Sequence, residues 1–416
     1  MSLLDDASLL VTPNAEKATK LYSIIPTNGN GDFSVTRATT ATRTNASGLI
    51  ESVPINEPRL DYSLGSCPNI LLEPQRTNVV LHSADLSQSI WSKTNYSLSS
   101  ITSIQGLNAT RITKNAVDNG SFSGTGTRNV INSIGTYAAG IKTLTYLIRK
   151  GNTDKVGFLI NNVLVGALTA VSCTFDFNTQ TFTNVSAGLT TSFESPSANV
   201  YRISLTISDT GTATNKAIWI APINASNSTV DGGYLDFAFA QFEIGSYSTS
   251  YIPTTTASVT RNLDQILRSN VYTNGLITAS GGTWFVDLRN NVPVVRDLST
   301  SGIFLNTGIL STTGNGFVMR NAGSTPTRMG IFTVVAGGLS ANLHTTTTNS
   351  AKVAFKWNGT TADIFVNGVK VVAATPFTPT TMENLVGEGQ NRAIQINSMA
   401  LFPTPLTDTQ CIALTT

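Results

Sequence analysis

The stretch KVAFKWNGTTADIFVNGVKV, residues 352–371, alternates apolar and polar residues and is broken twice by Asn-Gly. In an extended chain Val353, Phe355 and Trp357 point one way, and Ala354 and Lys356 the other. Asn358-Gly359 supplies the positive φ of a tight turn, Ile364 and Val366 continue the apolar face, and Asn367-Gly368 turns the chain again before Val369 and Val371. β-Branched residues and two internal glycines exclude a helix. The stretch reads as three antiparallel strands with one buried face, a piece of meander.

The composition extends that reading to the whole chain. At 416 residues there is enough sequence for two or three cores. Charged residues make up only 12%, against roughly 25% in ordinary globular proteins. Ser, Thr and Asn carry the polarity instead, and 33 glycines supply turns. The net charge of +2, without a basic block, argues against a nucleic-acid groove. Cys67, Cys173 and Cys411 are far apart and odd in number, which reads as free thiols rather than a disulfide scaffold or zinc site. The start, MSLLDDASLL, carries Asp5 and Asp6 where a signal peptide needs basic residues. No run approaches the ~20 apolar residues of a membrane span. A soluble protein, neither exported by a visible signal nor inserted in a membrane, is expected.

Residues 1–75 differ from the rest. A short helix is expected around AEKATKLY, followed by a Gly-, Asn- and Thr-rich stretch and by Pro54, Pro58, Pro68 and Pro74. Too few large apolar residues are present for a separate core. The segment must therefore lie extended on the chain's own domains, a sister subunit or a docking partner, and is expected to serve attachment and oligomerisation. Residues 76–256 carry strand-like runs every 10 to 20 residues: TLTYLIRKG, a hairpin in CTFDFNTQTFTNV, VYRISLTISDTG, KAIWIAPI and YLDFAFAQFEIG. In the last of these, Leu235, Phe237 and Phe239, then after a bulge Phe242 and Ile244, are expected to face one core. This is the pattern of a β-sandwich. Residues 257–265 are a linker by composition. The tetrapeptide SVTR occurs at Ser34–Arg37 and again at Ser258–Arg261. Residues 266–416 form a second sandwich, closed by a short helix, DTQCIAL, with Thr407 as cap and Asp408 in its first turn.

Several stretches resemble known modules. WNGTTADIFVNGVKV followed by NSMALFPTPLTDTQ is similar to a concanavalin-A-like, laminin-G-type jelly roll, over residues 280–416. DFSVTRATTATRTNASGLIESVPINEPRLDYSLGSCPNILLEPQRTN, residues 32–78, closely resembles a segment of bacteriophage structural proteins, often fibre or tail components. QFEIGSYSTSYIPTTTASVTR, residues 241–261, resembles the end of the carbohydrate-binding-like sandwich that follows it there, and CTFDFNTQTF and NVYRISLTIS match the middle of that module. The third unit is shorter than many lectin jelly rolls, so a full set of ligand loops is not implied.

Candidate chemistry is sparse. A Ser-His-Asp triad would need His82 or His344, and neither has a nucleophile elbow nearby. Paired carboxylates for glycan cleavage would come from Asp231, Asp236, Glu243, Asp363, Glu383 and Glu388. Of these, Asp236 alternates with core residues and reads as outward and structural. Glu383 and Glu388 sit in MENLVGEGQNR, read as a solvated loop with Arg392 near. Asp209 alone cannot supply the six or more oxygens of a calcium site. Sugar binding favours exposed aromatics, but Trp91, Trp219, Trp284 and Trp357 lie in strand patterns and read as core. Tyr247 and Tyr251, in GSYSTSYIP, have a more mobile context. No catalytic residue, metal ligand, cofactor or individual sugar contact is singled out.

The resemblance implies a mainly β, non-enzymatic virion protein, assembled in the host cytoplasm into a head or tail fibre. It implies a homotrimer of sister subunits, held to other virion proteins through residues 1–75, that adheres to host-surface or mucin-type glycans. A connector without sugar affinity is the alternative, and a glycan-depolymerising tailspike is a third reading.

Overall fold

The computed structural model describes residues 3–13, 16–17, 19–93, 95–115, 130–211, 215–224, 229, 231–278, 280–289, 302–306, 316–322, 325–335, 338–339, 343–346, 350–377, 382–389 and 393–416. The protein is mainly β, and its named strand pairs are antiparallel. It divides into two compact units. The first is discontinuous and comprises residues 1–47, 51–75 and 261–416; the second comprises 48–50 and 76–260.

In the discontinuous unit the strands Ala351–Trp357 and Thr361–Val366 lie in one sheet with Gly282–Arg289 and Ile394–Phe402. The alternation read from the sequence sorts as expected. Val353, Phe355 and Trp357 enter the main core with Trp284, Phe317 and Leu385, whereas Ala354 enters a second cluster on the other face. Trp284 and Phe355 stack at 5.0 Å, and Phe317 joins Phe355 and Trp357 from the facing sheet. Asn367 and Gly368 both take positive φ (48° and 77°), as a two-residue hairpin turn requires. At the other turn only Gly359 does, and the Asn358 side chain accepts from the Thr360 and Thr361 N–H groups instead. The closing helix Asp408–Thr415 has a complete capping box between Thr407 and Gln410. It covers the second face of the sheet, burying Cys411 against Phe285, Phe365 and Phe402.

Residues 1–75, apart from 48–50, are part of this unit rather than a segment apart. Leu9–Val11 pairs with Ile394–Phe402, as does Asn69–Leu72, and Phe33–Thr36 pairs with Gln265–Ser269 in the facing sheet. The apolar residues of this segment, too few for a core of their own, complete the core of the C-terminal part: Leu9, Val11, Leu21, Phe33 and Ile70 are fully buried there. The helix expected around AEKATKLY is not formed. Glu16–Lys17 and Lys20–Leu21 pair as short strands closing at Thr19, whose φ is 68°. The expected linker 257–265 is not slack either, since Arg261 and Asp264 are buried.

The second unit is a sandwich of two sheets, each six-stranded among the described residues. Trp91, Tyr146, Phe158 and Phe237 meet between them. The hairpin in CTFDFNTQTFTNV forms as read, with Gln180 at φ 53° in its turn. In Tyr234–Ile244 the register slips between the partners of Phe237 and Phe239. The irregularity thus falls earlier than the sequence suggests. Phe239 turns to the outer face, Ala240 and Phe242 take the inner one, and Ile244 is exposed.

Candidate functional site

A chain with few charges hides many of them. In the discontinuous unit Arg37, Arg59, Glu73, Arg261 and Asp264 are all buried in one network. Asp264 takes Arg37 Nη1 at 2.9 Å on one oxygen, and Arg59 Nη2 with the Glu73 N–H on the other. Glu73 Oε2 takes Arg59 Nη1 at 2.7 Å and Arg261 Nη1 at 2.8 Å. The remaining donors of Arg37 go to the carbonyls of Thr39, Val53, Pro54 and Glu57, and Arg261 Nη2 reaches Pro74 O. The two SVTR copies acquire a meaning here. Their last residues, Arg37 and Arg261, meet in the same cluster from opposite ends of the sequence. Burial of the guanidinium, only partly offset by Asp264, leaves Arg37 below its ordinary value, while Arg59, between two carboxylates, is raised despite full burial. Every charge faces a partner of opposite sign, and this network is structural.

The second unit holds a smaller group. Lys142 from Gly140–Arg149 and Lys216 from Lys216–Ile223 belong to different sheets, and both reach Asp209 Oδ2, at 3.0 and 2.7 Å. Asp209 Oδ1 accepts the N–H groups of Leu164 and Gly211, both at 2.9 Å. Burial opposes the charge, but these donors together bring Asp209 down to about 2. Lysines thus occupy the position weighed for calcium.

The other candidate carboxylates are also engaged. Glu243 is fully buried and accepts the Thr249 N–H and hydroxyl. Asp363 and Asp408 share Lys356 and Lys370 and tie the closing helix to its sheet. Glu383 accepts from Thr273. Glu388 is a correction: it belongs to the strand Asn384–Glu388, is 2% exposed, and burial raises its pKa. A strand between Gln265–Ser269 and Gly302–Asn306 leaves no room for a solvated loop. Arg392 lies outside the described residues. Asp231 lies 3.7 Å from Lys114. His82 and His344 lie in different units, and no group of three His, Cys, Asp or Glu among the described residues is arranged to hold a metal ion.

The four tryptophans are buried, as read. Tyr247 and Tyr251 are buried too, against the expectation of a mobile context. The segment around them lies across the outer face of a sheet, where Tyr251 stacks on Phe239 at 4.0 Å and bonds Ser83. Gln241 fixes that segment by accepting the Ile252 N–H and donating to the carbonyls of Thr249 and Ser250.

Further along the same face lies the group that best combines order with access. Arg111, Asp236 and Arg149 stand in register on three adjacent strands. Asp236 is outward, as its alternation predicts, yet 1% exposed because both arginines cover it. Arg111 Nε donates to Oδ1 at 2.8 Å, Arg149 Nε donates to Oδ2 at 3.0 Å, and Arg149 Nη2 lies 2.9 Å from the same oxygen. The Arg111 guanidinium also lies 3.8 Å from the centre of the Tyr234 ring. Its hydrogen bonds to Asp236 raise Arg111 above its ordinary value. The arginine side chains keep 33% and 27% exposure, and their Nη1 groups have no hydrogen-bond partner among the described residues. The result is a pair of fixed guanidinium edges, suited to a ligand with vicinal hydroxyls or an anionic group. Arg111, Arg149 and Tyr234 were not picked out from sequence. The usable signal was charge placed opposite core positions in strand patterns.

No family model matches the chain, and no curated protein matches it. Solved structures show weak likeness. Domain 4 of AbnA, an extracellular GH43 arabinanase from Geobacillus stearothermophilus, is 11% identical with a TM-score of 0.28, over 41% of this chain and 82% of that one. A Trypanosoma rangeli sialidase mutant is 7% identical with a TM-score of 0.27, over 92% and 76%. Fructan 1-exohydrolase IIa from Cichorium intybus is 8% identical with a TM-score of 0.23, over 71% and 69%. Likeness of this size assigns neither family nor activity.

Proposed function

We propose that the chain is a non-enzymatic structural protein of a bacteriophage virion, part of a fibre-like head or tail appendage that adheres to host-surface or mucin-type glycans. The resemblance of residues 32–78 and 241–261 supports the virion reading. The observation that carries adhesion is the Arg111–Asp236–Arg149 row beside Tyr234: guanidinium edges held in place by a buried carboxylate on an accessible sheet face. Single shallow sites of this kind bind weakly, and joining several raises apparent affinity by ~10²–10⁴. The proposal therefore includes a homotrimer. The candidate carboxylates already described have structural partners, which is why the non-enzymatic reading is preferred to a depolymerase. A connector without sugar affinity is the second reading. It is favoured by the absence of a fully exposed large aromatic among the described residues. Light scattering and glycan retention separate the two: a trimer retained on glycans supports adhesion, and a trimer with no retention supports the connector. Virions labelled with antibody against residues 266–416 would show appendage staining; unlabelled particles would contradict the virion reading.

A further inference from the structure

An ion pair needs one cation for one anion, yet Asp209 is given two lysines. Both ammonium groups, like the carboxylate, have fully buried side chains. The carboxylate's two oxygens are treated differently. Oδ1 lies between the N–H groups of Leu164 and Gly211, 2.9 Å from each. Among the described residues, Oδ2 meets only the two ammonium groups. Two backbone N–H groups on one oxygen, with proton donors on the other, is the arrangement that stabilises addition to a carboxyl carbon and departure of its second oxygen.

We propose that Lys142 and Asp209 condense to an intramolecular amide, with Lys216 as the resident proton donor. From the ion pair, Lys142 Nζ gives one proton to Oδ2 and attacks Cγ as the free amine. The new charge falls on Oδ1, where the Leu164 and Gly211 N–H groups hold it. The nitrogen passes a second proton to the hydroxyl at Oδ2, the Cγ–Oδ2 bond breaks, and water leaves. The amide keeps one hydrogen on nitrogen, and no oxidant or co-reactant is consumed. Lys216 donates a hydrogen bond to the departing oxygen and remains an ammonium group.

The choice of nucleophile follows from what each lysine has besides Asp209. Lys216 Nζ is also held by the carbonyls of Asn162 at 3.2 Å and Gly211 at 3.3 Å. It therefore stays solvated by protein once the carboxylate charge is gone. Among the described residues Lys142 has one further hydrogen bond, to Gly140 O at 3.4 Å, and loses least by giving up its charge. The reaction replaces three buried charges by one that keeps two carbonyl partners, and burial is what makes the ion pair expensive. The bond would tie two strands of one sheet at their ends, where Gly140 faces Asp209. It does not depend on the adhesion reading.

Mass spectrometry of the folded full-length protein tests this. The expected result is a chain lighter than its sequence mass (44.0 kDa) by one water, with a branched proteolytic peptide joining Lys142 to Asp209. Lys142→Met should restore the full mass. Wild-type protein that keeps its full mass after prolonged incubation overturns the proposal, whether or not the variant folds. A branch through Lys216 instead overturns the assignment of the nucleophile.

Discussion

Removing the charge of Asp264 should unfold the discontinuous unit at far lower denaturant. Asp264 is 2% exposed and faces Arg37 on one oxygen, Arg59 and the Glu73 N–H on the other. In the wild type three guanidinium groups face two carboxylates. In Asp264→Asn the shape is nearly kept, but the three guanidiniums face Glu73 alone. An uncompensated buried charge of this sort costs about 3–5 kcal/mol. With a urea dependence near the upper end of ~1–3 kcal/mol per molar, the midpoint should fall by about 1–2 M. Trp284 and Trp357 belong to this unit and Trp91 and Trp219 to the other, so a Trp91→Phe, Trp219→Phe background lets fluorescence report this unit alone. Arg43→Gln is the control. Its pair with Glu51 is partly exposed (18% and 37%) and should be worth under ~1 kcal/mol. If Asp264→Asn costs no more than this control, the network is not what holds the two ends of the sequence in one unit.

Trp357→Ala should cost about 3–5 kcal/mol in the same assay, because the ring is fully buried against Phe317; a loss under ~0.5 kcal/mol would mean it faces solvent. Deleting residues 1–75 removes strands from both sheets of the discontinuous unit, together with Arg37, Arg59 and Glu73. That unit should lose its cooperative transition while Trp91 and Trp219 still report a folded second unit; two intact transitions would refute the assignment of the segment. The pairs of Asp363 and Asp408 with Lys356 and Lys370 set a pH window. Burial opposes the Asp363 charge, but the Ala374 N–H and both lysines hold it below 3.8, and hydrogen bonds from the lysines do the same for Asp408. Their contribution is thus present above about 3.8 and lost as the pH falls below it. The melting-temperature difference between wild type and Asp363→Asn should be full at neutral pH and vanish in acid; a difference unchanged in acid would exclude the pairs as its source.

The β character and the faces of Ala351–Trp357 were legible because period-two alternation is a local signal, as was Thr407 as helix cap; its reciprocal partner Gln410 was not read. What was not legible depends on distant partners. Arg37 reads as a surface residue until Asp264, 227 positions away, is placed beside it. The repeated SVTR was visible, but nothing local says that both arginines point into one cluster. Glu388 looks like a loop charge because LVGE is short and contains glycine, yet strands on both sides bury it. Phe239 was assigned to the wrong face because a register slip changes parity without a sequence mark. The accessible row was missed for a related reason, since Arg111 and Arg149 are brought together only because Tyr234–Ile244 pairs with both of their strands.

The most direct test of adhesion is retention of the full-length protein on an array of host-surface and mucin-type glycans, beside Arg149→Ala and Arg111→Ala. Either variant leaves Asp236 one arginine, so both should fold, and their urea midpoints are measured beside retention to separate lost binding from lost stability. The account predicts that wild type is retained and that each variant loses at least ~10-fold of that retention while folding and assembling as before. Retention unchanged in both variants, or a wild-type protein that binds no glycan, would contradict it.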